Sequence, residues 1–161
     1  MNIISTEAIP KSNGHYSQCI EHNGMLYLSG QLPIIPETKQ IPEGIELQTQ
    51  LVLDKIALIL KESKSSIYNI IQVRIYLSDI SLWELVNKIY SNFFGEHKPV
   101  RCIVPTGKLH YGCLIEIEAI AFTNEYVEVI FYKNLLQENN LFLVFSQHKQ
   151  FLIEFRCSQD F

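Results

Sequence analysis

The chain has 161 residues, 47% of them hydrophobic and 19% charged, with a formal net charge of −4, which suits one domain with a real core plus an appendage. That acidic balance offers no basic face for phosphates and sets nucleic acid aside as a partner. No apolar run approaches the length needed to span a bilayer, and the N-terminus MNIISTEAIPKSNGHYSQ lacks the charged-then-apolar order of a signal peptide.

In chain order, Gln18–Ile20 leads into a turn at His22–Gly24, and Met25–Ser29 reads as the returning strand of a hairpin closed by Gly30. Pro33, Pro36 and Pro42 mark Leu32–Gly44 as a loop, because proline neither donates to a ladder nor continues a helix. Residues 46–62 have helical period. Val52, Leu53, Ile56, Ala57 and Leu60 form the apolar stripe, with Gln48, Asp54, Lys55 and Glu62 elsewhere, and Ser63 to Ser66 end the helix. Residues 69–77 alternate like a strand, with Ile71, Val73, Ile75 and Leu77 opposite Gln72, Arg74 and Tyr76.

A second helix is expected to open on a capping box of Ser81 and Glu84, stapled by Ile80 on Leu85. Gly95 should end it and Pro99 prevent its restart. Its buried side reads as Leu82, Leu85, Val86, Ile89 and Phe93. Val100–Val104 and Cys113–Phe122 are the next strands; in the second, Glu116 and Glu118 share the face opposite Cys113, Ile115, Ile117, Ala119 and Ala121. The expected class is α+β: a mixed sheet with two helices packed on one face. Residues 125–161 are too apolar for a free tail. LFLVF and FLIEF around SQHKQ suggest a hairpin, and Tyr126–Tyr132 a further strand, so the chain reads as 1–124 with an extension over 125–161.

The four cysteines, Cys19, Cys102, Cys113 and Cys157, show no CxxC pairing, which points to reduced thiols and a cytoplasmic protein. His15, Cys19 and His22 lie close in sequence but read as strand and turn residues rather than metal ligands.

Arg101 and Glu116 carry the chemistry. A guanidinium presents a planar fork of donors that fits a carboxylate bidentately, and a glutamate nearby can hold or activate a water. If the strands bearing them pair through the intervening loop, the two fall opposite each other, a register that a one-residue slip would destroy. The pair suggests a site where a small carboxylic acid is hydrolysed. Glu118 reads as the structural carboxylate, with Arg74 as a cross-strand partner for either glutamate.

The stretches IISTEAIP, GHYSQ, MLYLSGQLP, NKIYSNFFGEH, PVR and LIEIEAIAF, in that order over roughly residues 2–123, resemble the reactive-intermediate deaminase family (RidA, also called YjgF). The resemblance implies a fold like the small trimeric chorismate mutase and a homotrimer with clefts between subunits. It implies hydrolysis of enamines and imines of the 2-aminoacrylate type to 2-oxo acids and ammonia, with neither cofactor nor metal. Matched to the family's motifs, Arg101 is the carboxylate-binding arginine and Glu116 the site glutamate. Tyr16, Ser29, Gly30 and Asn87 fall on substrate-binding positions. His15 and His110 stand where the family usually has proline, and Ile103 where it often has cysteine; these departures bear on cleft shape. Two other readings accompany the deaminase: a non-catalytic trimer that binds 2-oxo acids and regulates a partner, and a ribonuclease, which the acidic balance and the missing basic–aromatic stripe disfavour.

Overall fold

The computed structural model describes residues 1–9, 11, 14–126, 142–145 and 151–154. Two compact units divide it, Met1–Asn124 and Glu125–Phe161.

In the first unit, six strands form one sheet: β1 (Asn2–Ile4), β2 (Cys19–His22), β3 (Met25–Gln31), β4 (Ile70–Leu77), β5 (Val100–Pro105) and β6 (Ile115–Phe122), in the spatial order β1-β2-β3-β6-β4-β5. Only the β4–β5 pair is parallel, so the sheet is mixed. β2 and β3 join through Asn23 and Gly24, both at positive φ (52° and 78°), the geometry that a two-residue hairpin turn demands and that Asn-Gly supplies at low cost.

Helices α1 (Ile45–Glu62) and α2 (Trp83–Phe94) pack side by side, with α1 against β3 and β6. The core between this layer and the sheet is built from Val52, Leu53, Ile56, Ile59 and Leu60 of α1, Val86 and Phe94 of α2, and alternate strand residues such as Leu26, Val73, Ile75, Ile115 and Ile117. The expected class, a mixed sheet with helices on one face, is what the chain forms.

Several local expectations need correction. Ile71 is exposed, because a bulge between Ile70 and Gln72 turns Ile70 into the core instead. Gln48 and Lys55, assigned to the polar side of α1, are both buried. Gln48 accepts from the Leu114 backbone N–H at 2.8 Å and donates to the Pro42 carbonyl at 2.9 Å, and Lys55 Nζ donates to the Leu32 carbonyl at 2.7 Å. Each reaches a loop backbone group that would otherwise lie unpaired in the core.

The start of α2 also differs. A 3-10 turn at Ile80–Leu82 precedes it, and Asp79, not Ser81, is the capping acceptor, taking the Ser81 N–H at 2.8 Å. Ile80 and Leu85 are 52% and 41% exposed, so the staple does not form and Leu85 leaves the buried side. Tyr90 takes its place, stacked on Phe94 with ring centroids 4.4 Å apart. Gly95 ends the helix at φ 56° as expected.

In the second unit, β7 (Phe142–Phe145) and β8 (Phe151–Glu154) pair antiparallel, Phe142 with Glu154 and Phe145 with Phe151. Of the strand expected over Tyr126–Tyr132, Tyr126 is helical and residues 127–132 lie outside the described residues.

Candidate active site

β5 and β6 do not pair with each other. β4 lies between them, with Val73 aligned on both Arg101 and Ala119 and Tyr76 aligned on Glu116. The expectation that Arg101 and Glu116 face each other across paired strands is therefore wrong. Partners in register share a face. Arg101 goes with buried Val73 to the helix side, and Glu116 goes with Tyr76 to the other. Two strand spacings and three residues of offset separate them, roughly 10 Å each way, with the sheet itself between.

Each residue sits in its own cavity. On the helix side, Arg101 Nη1 donates to Asn87 Oδ1 at 2.9 Å, and the guanidinium lies 4.7 Å above the centre of the Tyr90 ring. Asn87 and Tyr90 are three residues apart on α2, so they meet Arg101 from one helix face. The cavity there, about 390 Å³, is lined by these three with Ser91, His97 and Lys98 among others. A cation held by a ring below and an amide beside it keeps a fixed plane, which favours two-point recognition of a carboxylate. Tyr90 is 7% exposed, and its hydroxyl has no hydrogen-bond partner among the described residues. Burial pushes the phenol up to about 12, against the pull of Arg101.

The second cavity, about 510 Å³, opens on the opposite face and contains Tyr16, Ser29, Gly30, His110, Tyr111, Glu116 and Glu118. Here β3 carries one extra residue relative to β6: Leu28 pairs with Ala119 and Gln31 with Ile117, leaving Ser29 and Gly30 opposite Glu118. Such bulges re-aim side chains beside functional sites. A Cβ on Gly30 would collide with Glu116 Oε1, so the absent side chain makes the space in which the carboxylate lies. Ser29 Oγ donates to the Ser17 carbonyl at 2.6 Å and Ser29 N–H to the Gln18 carbonyl at 3.0 Å. Its hydroxyl thus anchors the segment that carries Tyr16.

Burial raises the pKa of Glu116; His110 opposes this, and Glu118 adds to it. A carboxylate made more basic in this way is better suited to take a proton from water. Arg74 Nη1 donates to Glu118 Oε1 at 2.8 Å in a directly opposed cross-strand pair. Glu118 is thereby the structural carboxylate of the two.

The sequence reading missed Tyr90, Tyr111 and the part played by His110. The i, i+3 spacing of Asn87 and Tyr90 was the available signal for the first. Nothing in local pattern marks the other two, whose loop is folded by contacts distant in sequence. His15 and His22 are exposed while Cys19 is fully buried, and among the described residues no group of three or more His, Cys, Asp or Glu could hold a metal ion. No helix among them is long and apolar enough to cross a membrane.

A mixed sheet under two helices, with an arginine held by an amide and a ring in a cavity on one face and a half-buried glutamate in a cavity on the other, defines a small α+β protein. The family model described as endoribonuclease L-PSP matches residues 6–123, and the chain belongs to that family, also known as YjgF/RidA. A RutC family protein of Pyrococcus abyssi is 41% identical over 121 residues, 74% of this chain and 95% of the relative. Reactive Intermediate Deaminase A of Arabidopsis thaliana chloroplasts is 38% identical over 120 residues, 74% of this chain and 64% of the relative. Among solved structures, RidA from a Psychrobacter species superposes with TM-score 0.73 at 30% identity, covering 76% of this chain and 99% of its own. Escherichia coli TdcF with bound serine superposes with TM-score 0.74 at 31% identity, covering 77% of this chain and 100% of that one.

Proposed function

We propose that this chain is an enamine/imine deaminase that assembles as a homotrimer, each site joining Arg101 of one subunit to Glu116 of the next. The observation that carries this reading is the separation of the two residues onto opposite sheet faces. One chain cannot bring them to one substrate, but two copies packed through their open sheet faces and edges can. The open face is suited to burial: the in-register row Ile3, Ile20, Tyr27, Ile120, Gln72, Val100 crosses all six strands, with Ile3 68% and Val100 70% exposed. A row of this extent on a sheet face, apolar but for Gln72, marks an interface between proteins. Closed rings of identical subunits are the ordinary way to satisfy a surface that is not self-complementary about a two-fold axis.

In the proposed reaction, Arg101 grips the substrate carboxylate, its plane held by Asn87 and Tyr90. Glu116 orients a water and takes its proton as the oxygen adds to the imine carbon. The carbinolamine then collapses to a 2-oxo acid and ammonia. Imines hydrolyse unaided in water, so orientation plus a general-base contribution of about 10²–10⁴-fold is an adequate catalyst. The TdcF relative, whose structure contains bound serine, supports an amino-acid-like carboxylate as the ligand class. The free thiols Cys19, Cys102 and Cys113 fit a reducing compartment such as the cytoplasm.

The test generates 2-aminoacrylate from serine with a dehydratase and traps residual imine with semicarbazide. Less trapped product with the wild type, and none of that protection with Arg101→Ala, is the expected result. Tight binding of 2-oxobutyrate with unchanged imine lifetime would overturn the enzyme reading in favour of a regulatory 2-oxo acid-binding trimer.

A further inference from the structure

Hydrolysis of an imine needs proton movement at two atoms. Water loses a proton as its oxygen adds to carbon, and the nitrogen must gain protons before it can leave. A single carboxylate cannot hold both ends of that exchange at one moment. The Glu116 cavity contains a second group suited to the task.

Its lining includes two carboxylates, Glu116 and Glu118, two phenols, Tyr16 and Tyr111, and one imidazole, His110. Glu118 is engaged by Arg74, and the Ser29 hydroxyl is spent on the Ser17 carbonyl. Imidazole is the side chain that exchanges protons readily around neutral pH, donating as imidazolium and accepting as the free base. The charge effect of His110 on the Glu116 carboxyl agrees with the two side chains lying close together in the one cavity.

The backbone holds His110 in place. It opens a 3-10 turn, His110–Gly112, in which Tyr111 adopts φ 59°, ψ 16° and Gly112 φ 75°. A tyrosine in the left-handed region is strained and persists only where surroundings impose it, as they commonly do at functional sites. The imposing contacts are the Cys113 N–H to His110 carbonyl bond at 3.1 Å and the Leu114 N–H to Gln48 bond at 2.8 Å. Buried Gln48 thus pins the exit of the loop to α1, and the start of the loop, at His110, lines one cavity with the bulge residues Ser29 and Gly30. The His110 and Tyr111 rings lie 6.0 Å apart, and His110 is exposed, so its proton can be renewed from solvent.

We propose that His110 is a second catalytic residue, the proton donor to the substrate nitrogen, an assignment that rests on the deaminase reading. As water attacks, Glu116 takes one of its protons, the C–O bond forms, the C=N π pair moves to nitrogen, and His110 gives that nitrogen a proton. Protonated Glu116 then passes its proton to the amine. The C–N bond breaks with its electron pair leaving on ammonia, and the carbinolamine hydroxyl returns its proton to His110 as C=O forms. Both side chains end as they began, and the net change is imine plus water to 2-oxo acid plus ammonia.

The test compares wild type, His110→Gln and His110→Ala in the dehydratase-coupled assay, with and without added imidazole, after thermal melts show that the variants fold. For both variants kcat should fall roughly 10²-fold with KM within about threefold, and imidazole should restore saturable activity to His110→Ala alone. Wild-type rates in His110→Gln, or a loss that imidazole leaves untouched, would overturn the donor role while the deaminase reading stands. A wild type that fails to shorten the imine lifetime would overturn both.

Discussion

The carboxylate of Glu116 occupies the space that a side chain on Gly30 would need. Gly30 follows Ser29 in the β3 bulge, so strand irregularity, a missing Cβ and the placement of the Glu116 carboxylate are one feature. Gly30→Ala should push the carboxylate out of the cavity and lower kcat about 10²-fold, the scale of losing a general base. The open solvent beside the site lets the Glu116 side chain swing away, so the melting temperature should change little. Coupled assay and thermal melt on one preparation check both statements.

Arg101 and Glu116 stand on opposite faces of their own sheet, and a shared substrate then requires two subunits. Arg101→Ala and Glu116→Gln should each be inactive alone. Mixed chains, co-folded in equal amounts, should regain about a quarter of wild-type activity, because a quarter of inter-subunit sites receive both intact residues. Recovery of none, with mixed oligomers demonstrated, would place the site within a single chain.

Tyr90 separates ring from hydroxyl. The ring supports Arg101 at 4.7 Å, whereas the hydroxyl is buried with no partner among the described residues, a costly arrangement. Tyr90→Phe should keep KM and hold or raise stability, by about 1 kcal/mol at most. Tyr90→Leu should raise KM with a smaller effect on kcat, since the lost cation–π support acts on carboxylate binding. Denaturant melts and steady-state kinetics of the two variants distinguish ring from hydroxyl.

Much of this molecule is legible in its sequence wherever a local rule decides. Asn23-Gly24 gives the hairpin, Gly95 the end of α2, and the alternation of 115–122 the two faces of β6. What escapes is set by partners distant in sequence. The bulge at Ile70–Gln72 moves the core face from Ile71 to Ile70, and no pattern within the strand announces it. Gln48 and Lys55 look solvated on a helical wheel, yet each is buried to satisfy a loop carbonyl or N–H that only the tertiary fold brings near. That Arg101 and Glu116 each line a cavity agrees with the residues singled out by type, but their relation was not readable. It depends on β4 entering between β5 and β6, a topological fact that residue spacing does not carry.

Lys55 makes stability depend on pH. Burial lowers its pKa from 10.5 to about 8, with Lys39 adding to that effect and Cys113 opposing it. The unfolded chain keeps this proton until about pH 10.5, whereas the folded chain releases it near 8. Between those values unfolding takes up a proton, so the Lys55 contribution raises stability as pH increases, and the full penalty applies below about 8. Lys55→Met removes the titration together with the bond to the Leu32 carbonyl, a loss that does not vary with pH. Buried tyrosines such as Tyr90, raised to about 12, act in the opposite sense at high pH but are shared by both proteins and cancel. From pH 7 to pH 10 the wild type should therefore gain about 2 kcal/mol relative to Lys55→Met, read as the change in the difference between their urea-unfolding free energies. A constant difference across that range would mean that Lys55 keeps its ordinary pKa in the fold, and that its environment is wetter than its burial indicates.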